Sequence, residues 1–465
     1  MQGWKLALLA GTAAAGLSPA AAIAQSSREA ALEARLRELE QAVSELRGEL
    51  RSARAEQVRT AAAAEQSSQA VAAATQASVA TEKRVAALET APPRDGFRMG
   101  GSTVKLSGFV RLNAIATRYN DGEIPTGGLG KEFYLPQQIP VGGGYSSRDM
   151  LLSARQTRLA VTATTPMNGT DIKTHIEFDF ALATAPVGAQ RATNPYVPTF
   201  RRGFIEYGRW LVGQEWSTFQ NVAVLPESTD FVGPLEGTVF NRQGLIRYTT
   251  PLRGGSNFQI AIENPQTETA LPSAAALVDN DHERLPDLVA RVNWKTRLGD
   301  FSLAGIAREL HAEVGGVGDS AVGWGVSGAG RVPIGTRHDV RFMATYGQGI
   351  GRYLGLGYVP DALFGGTATR MARIDNFAAF AALKLGWTNN LRSTFTGSYQ
   401  TAQYPDRLAV TLLANKAAWS AAANLFWTPV KGMDVGIEYR HGQRELVSGD
   451  SGALDRIEMA FKYGF

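Results

Sequence analysis

The chain has no cysteine, which excludes disulfides, thiolate metal sites and cysteine nucleophiles. It also lacks an uninterrupted apolar run of the roughly 20 residues that a helix needs to cross a bilayer. A place inside a membrane would therefore have to be taken by a closed barrel of strands. Histidine is sparse, and His175, His282, His311, His338 and His441 stand singly, in no nucleophile or metal motif. No catalytic residue, metal or other cofactor is expected from them. A strong charge of one sign is missing as well. The formal net charge is only +4, so composition gives nucleic-acid binding no support.

What is present begins at the C-terminal end. Ile457, Met459, Phe461, Tyr463 and Phe465 alternate with Glu458, Ala460, Lys462 and Gly464. Period-two alternation predicts a strand with one apolar and one polar face. The strand finishes on an aromatic residue, as the closing strand of an outer-membrane barrel does. Its partner is expected to be the strand beginning near Val104. Glu458 and Lys462 are expected to look into a water-filled channel.

The other end carries export signals. Lys5 precedes the apolar stretch Leu6 to Ala15, and Ala22-Ile23-Ala24 is a small-x-small cleavage site. Residues 1–24 read as a secretory signal peptide. In the next part, 26–89, Leu32, Leu36, Leu39, Val43, Leu46 and Leu50 repeat at alternating spacings of four and three. That is a heptad seam, and Val71, Val85 and Leu88 continue it in phase. A helix with this stripe does not bury it alone, so an α-helical coiled coil between copies of the chain is predicted. Pro92 and Pro93 then stop the helix within a linker, 90–96.

From 97 to 465 the chain breaks into short alternating segments separated by Gly, Pro, Asn and Asp. The predicted strands are 104–119, 151–166, 171–185, 200–208, 209–217, 242–250, 256–264, 287–298, 301–312, 322–333, 337–349, 374–389, 391–404, 416–428, 431–442 and 455–465. About sixteen antiparallel strands, with short turns alternating with long loops, predict an all-β transmembrane barrel. The longer loops are expected at 120–150, 186–199, 265–286 and 350–373.

Alternation also assigns faces. Trp419, Ala421, Ala423, Leu425 and Trp427 are expected to face out, with Val435, Ile437 and Tyr439 and with Phe258, Ile260 and Ile262. Arg111, Arg158, Arg202, Arg247, Arg291, Arg341, Arg392 and Arg440 are expected to face in. So are His175, Glu177, Asp179, Glu206, Glu263, Glu438 and Glu458. A charge on the lipid face near midplane costs about 2–4 kcal/mol, which enforces the pattern. Sixteen strands leave an aqueous lumen, and an excess of inward arginine favours anionic solutes.

One stretch is more specific. Leu211-Val212-Gly213-Gln214-Glu215-Trp216-Ser217-Thr218-Phe219 leads into an irregular segment containing Pro226-Glu227-Ser228-Thr229-Asp230-Phe231-Val232-Gly233-Pro234. Asn241-Arg242-Gln243-Gly244-Leu245-Ile246-Arg247-Tyr248-Thr249 follows as a new strand. These pieces, with the plan of signal, coiled coil, Pro-containing linker, barrel and terminal Phe, resemble the DcaP-like dicarboxylate porins. The resemblance implies a homotrimer in outer-membrane lipid, a periplasmic coiled coil, and an inward-folded loop at about 218–241. It implies passive diffusion of small anionic solutes, dicarboxylates among them. The constriction candidates are Arg111, Arg158, Arg202, Arg242 and Arg247 against Glu227, Asp230 and Glu236. The pairing rationale is that a guanidinium fork matches a carboxylate. A general, weakly selective trimeric porin and a structural barrel tethered through its coiled coil are the rival readings.

Overall fold

The structure is a computed structural model. It describes residues 96–465 except 183–192, 281 and 367–369, with four isolated positions upstream. Those positions and Gly96 aside, the expected signal peptide (1–24), coiled coil (26–89) and linker (90–96) lie outside the described residues.

Sixteen antiparallel strands form one closed barrel. They are β1 (Ser102–Tyr119), β2 (Ser147–Ser153 continued by Arg158–Met167), β3 (Thr170–Asp179) and β4 (Thr199–Tyr207). Then come β5 (Trp210–Trp216), β6 (Arg242–Pro251), β7 (Asn257–Glu263) and β8 (Asp287–Lys295). β9 (Asp300–Val314), β10 (Val317–Ile334), β11 (His338–Gln348) and β12 (Asp375–Gly386) follow. β13 (Leu391–Gln403), β14 (Asn415–Trp427), β15 (Met433–Leu446) and β16 (Ser451–Gly464) complete the wall. β16 pairs with β1 from Phe109↔Gly464 to Tyr119↔Leu454, so neither edge is left open.

Each expected segment falls on one of these strands, and the departures have local causes. β9 and β10 run longer than expected, because Gly315 and Gly316, at φ +60° and +77°, join them in a two-residue turn. Two successive positive φ values match the twist of a hairpin. β3 stops at Asp179 and not at 185; the Phe180 amide turns back to the Arg155 carbonyl. β2 is broken at 154–157, where the Thr157 hydroxyl takes the place of a ladder partner for the Arg111 backbone.

The outward faces are apolar as alternation requires. Ile260, Ile262, Trp419, Leu425, Trp427, Ile437 and Tyr439 are exposed, as are Ile457, Met459, Phe461, Tyr463 and Phe465. No described helix is long and apolar enough to cross a membrane; the exposed apolar residues named above belong to strands.

Every connection on the rim shared by the start of β1 and the end of β16 is short, and the opposite rim has the short turns 315–316 and 447–450 besides its loops. That opposite rim carries loops at 120–146, 217–241, 264–286, 349–374 and 404–414. Three of these, 120–146, 217–241 and 349–374, meet inside the barrel. Phe219, Val224 and Val239 pack with Tyr353 and Leu354 on Val289, Ala304, Ala329, Met343 and Phe380 of β8–β12. On the other side Val232, Leu235 and Phe240 pack with Phe133, Tyr134, Leu135 and Ile139 beside Tyr119 and Leu454. The barrel thus has its apolar core in the lumen, made by loops against one part of the wall.

Candidate functional site

The 217–241 loop is held by the wall strand after strand. Arg291 of β8 donates to the Gln220 carbonyl, and Asn221 reaches Ser302 of β9 at 2.8 Å. Arg341 of β11 donates to the Leu225 carbonyl at 2.6 Å. Glu227 accepts from Arg392 of β13 at 2.9 Å and lies 3.3 Å from Lys384 of β12. Asn424 of β14 donates to the Glu227 carbonyl at 2.8 Å. Ser228 and the Thr229 amide donate to Glu438 of β15 at 2.9 and 3.2 Å. Arg111 and Asn113 of β1 both donate to the Thr229 carbonyl, the latter at 3.0 Å. A chain crossing the lumen has no ladder for its backbone groups, and inward Arg and Asn side chains supply the missing donors.

The loop closes tightly on β12. A Cβ built on Gly237 would lie 2.4 Å from the Ala379 carbonyl oxygen and 2.8 Å from the Phe380 Cβ. It also pairs with the 349–374 loop: the Phe240 amide donates to Tyr353 at 2.9 Å, and Val239 bridges Leu354. The constriction is therefore built from more than the loop after the fifth strand.

On the short-turn side of the loop lies a cavity of about 410 Å³. Arg111, Arg158, Arg201, Arg392 and Lys462 line it, with Glu227, Asp230 and Asp434. Phe231 forms part of the floor; the Arg201 and Arg158 guanidiniums sit 5.0 and 5.8 Å from its ring centre.

The expected residues divide into groups. Arg111, Arg158, Glu227 and Asp230 come together at this cavity. Arg158 lies 3.5 Å from Asp179, and Asp230 accepts from the Tyr134 amide at 2.8 Å. Arg202 is held bidentately by Glu215 at 2.8 and 2.6 Å. Among the described residues, Arg247 reaches only the Trp216 carbonyl, at 3.5 Å. Arg242 stacks 4.7 Å over Trp216, and its Nη1 is buried without a hydrogen-bond partner. Glu236 does not face the lumen. It is 0 % exposed behind the loop, accepting from Ser398 at 2.7 Å and Tyr134 at 3.3 Å. Glu458, expected in water, is also buried, 2 % exposed against Asn113. The inward loops cover both carboxylates, an effect that strand alternation does not encode. Lys462 does border the cavity.

Arg201 was not among the candidates. Strict alternation with Arg202 inward turns Arg201 toward lipid. A register shift between Glu177↔Arg202 and Phe178↔Phe200 instead makes Arg201 an extra residue, and both arginines point in. Arg201 then binds Glu177 at 2.8 Å and Asp179 at 2.6 Å. The signal was the tandem itself, since a lipid-facing arginine is costly enough to favour a bulge.

The unpaired charges are sorted by exposure. Arg111, Arg242, Arg247 and Arg291 have no carboxylate in ion-pair contact among the described residues, and each is only half-buried. The carboxylates without an ion-pair partner at this level, Glu236, Glu263 and Glu458, are sealed at 0 %, 1 % and 2 % exposure. Uncompensated positive charge therefore meets the lumen, while uncompensated negative charge does not.

Residues 134–465 match the DcaP outer membrane protein family. The chain belongs to that family. Among solved structures, the outer membrane channel DcaP of Acinetobacter baumannii is 23 % identical. It aligns over 80 % of this chain and 100 % of that one, with a TM-score of 0.67. The anion-selective porin from Comamonas acidovorans is 11 % identical over 78 % of this chain and 100 % of that one, TM-score 0.48. Outer-membrane expressed OmpT of Vibrio cholerae is 10 % identical over 79 % and 99 %, TM-score 0.49. No curated protein sequence matches the chain. The fold of this DcaP-family chain is that of an outer-membrane porin. Arg201 and the two additional inward loops are what its own geometry adds to the expected site.

Proposed function

We propose that the barrel is a passive, water-filled channel biased toward small anionic solutes, dicarboxylates among them. The observation that carries this reading is the sorting of unpaired charge: half-buried Arg111, Arg242, Arg247 and Arg291 against buried Glu236, Glu263 and Glu458. A passing carboxylate meets guanidiniums with free donor capacity. A passing cation meets carboxylates that are already bonded or covered. Charged inner-face residues of β1, β2, β4, β13, β15 and β16 border the cavity beside the loop. Each pore belongs to one copy of a homotrimer in outer-membrane lipid. Residues 1–24 direct export, and 26–89 form a periplasmic coiled coil joined through 90–96. Histidine chemistry has no part in this reading. His175, His311 and His441 bond Thr162, Ser320 and Asp455 on the strands. Liposome swelling tests the selectivity. Succinate is expected to enter faster than a neutral solute of equal size. Equal rates would leave a general porin, and no swelling at all would favour a structural barrel. The mass of the detergent-solubilised complex reads the copy number.

A further inference from the structure

The loop-side mouth holds a second cavity, of about 210 Å³, separate from the constriction. Loops 264–286, 349–374 and 404–414, with Gln137 of the 120–146 loop, build it over the end of β15. The loops are tied together, since the Thr411 amide donates to the Pro272 carbonyl at 2.6 Å. Its upper wall is aliphatic, with Leu271, Leu277, Val410 and Leu413. Leu413 is 65 % exposed at the rim of the cavity. Its floor is polar. Arg444 lies there, between Tyr358, Tyr404 and Asn415.

Arg444 is the informative residue. Its Nε donates to the Asn415 side chain at 2.7 Å and its Nη1 to the Ile139 carbonyl at 2.9 Å. These bonds fix the guanidinium plane but supply no charge. No carboxylate is in ion-pair contact with it among the described residues, and the adjacent Glu445 is taken by Lys416 at 2.7 Å. A half-buried cation without a counter-ion is costly to hold. Here it is held rigidly at the bottom of an apolar-walled cup. Asn415 itself is fixed by donating to the Tyr358 carbonyl at 2.6 Å, while its own carbonyl accepts from the Tyr404 hydroxyl at 2.8 Å. The floor is therefore preorganised.

We propose that this cup binds small monoanions with an aliphatic body, such as short-chain monocarboxylates. The carboxylate would sit on Arg444 and the chain against Leu271, Leu277 and Leu413. The volume exceeds the roughly 150 Å³ that accommodates a benzene-sized molecule, so a chain of about six carbons fits. The site differs from the constriction in kind. There several cations share a polar space, and here one cation lies under an apolar wall.

Hexanoate is the probe, titrated by calorimetry into the full-length, detergent-purified protein against empty micelles. Binding is expected to weaken by about fourfold for each methylene removed on going to propionate. Arg444→Gln is expected to weaken hexanoate binding at least about tenfold, the loss of a charge-assisted bond. Because Arg444 also ties Asn415 to Ile139, a second variant keeps the floor intact. Leu413→Asp, at an exposed rim position, places a like charge beside the anion and is expected to weaken hexanoate at least as much. Equal binding of hexanoate and propionate, or hexanoate binding unchanged in Leu413→Asp, would overturn the proposal. Conduction plays no part in this readout, so its outcome is independent of the channel reading above.

Discussion

Arg242→Gln removes one of the uncompensated charges while leaving a side chain able to lie on Trp216. The guanidinium stands 4.7 Å over that indole and has no carboxylate in ion-pair contact among the described residues. A solute carboxylate passing at about 6 Å gains about 0.7 kcal/mol from one positive charge in bulk water, and about 2.8 kcal/mol at an effective dielectric of 20. Loss of that charge should therefore lower the anion-to-cation permeability ratio by about threefold at least, and by up to about a hundredfold in a poorly hydrated lumen. The measurement is the reversal potential of single channels in planar bilayers under a KCl gradient near 0.1 M. At 1 M the effect should shrink, because the screening length falls to about 3 Å. The paired double variant Arg202→Gln with Glu215→Gln is the contrast. It removes a bidentate ion pair at 2.6–2.8 Å and leaves the net charge of the lumen unchanged, so its reversal potential should match that of the unaltered protein. If Arg242→Gln channels open normally and keep the same reversal potential, the charge-sorting argument is wrong.

Two further perturbations address the loops. Gly237→Val places a Cβ 2.4 Å from the Ala379 carbonyl, so the 217–241 loop must leave the wall. Single-channel conductance should rise, and thermal stability should fall by the roughly 1–3 kcal/mol typical of overpacking; unchanged conductance would refute the close approach. Glu268, in the loop after β7, bonds through its amide to Asp361 at 3.0 Å. Burial, and secondarily Asp361, pushes its carboxyl up to about 7, with Asp279 adding and Arg352 and Arg308 opposing. The closed loops thus hold this proton more tightly than the opened ones. Their stability is complete below the ordinary carboxylate range, declines as pH rises toward 7, and levels off above it. Hydrogen exchange at 267–270 and 362–363, corrected for intrinsic rates, should speed up between pH 5 and 8. Glu268→Gln should abolish that pH dependence.

The sequence alone determined the wall. Period-two alternation is a local property, and lipid on one side makes it obligatory, so Ile457 to Phe465 and the fifteen segments before it were legible as strands. The same rule placed Arg111, Arg291, Arg341 and Arg392 on the inner face, where they now bond the loop. The resemblance located the inward loop through its Pro226 to Pro234 run. Tertiary structure decided what those inward residues see. Alternation tells inside from outside but not open lumen from covered lumen, and that depends on where loops distant in sequence come to rest. Glu458 is on the expected side and yet is sealed, because the inward loops pack over it, and Glu236 turns away from the lumen to Ser398 of the wall behind its own loop. Arg201 faces in only because a bulge interrupts the period. The near-balance of charge in the composition, a formal net charge of +4, does not say which sign the lumen shows. Ion pairing cancels most inward charges, and burial hides the remaining carboxylates, so the sign that solutes meet is a property of packing and not of composition.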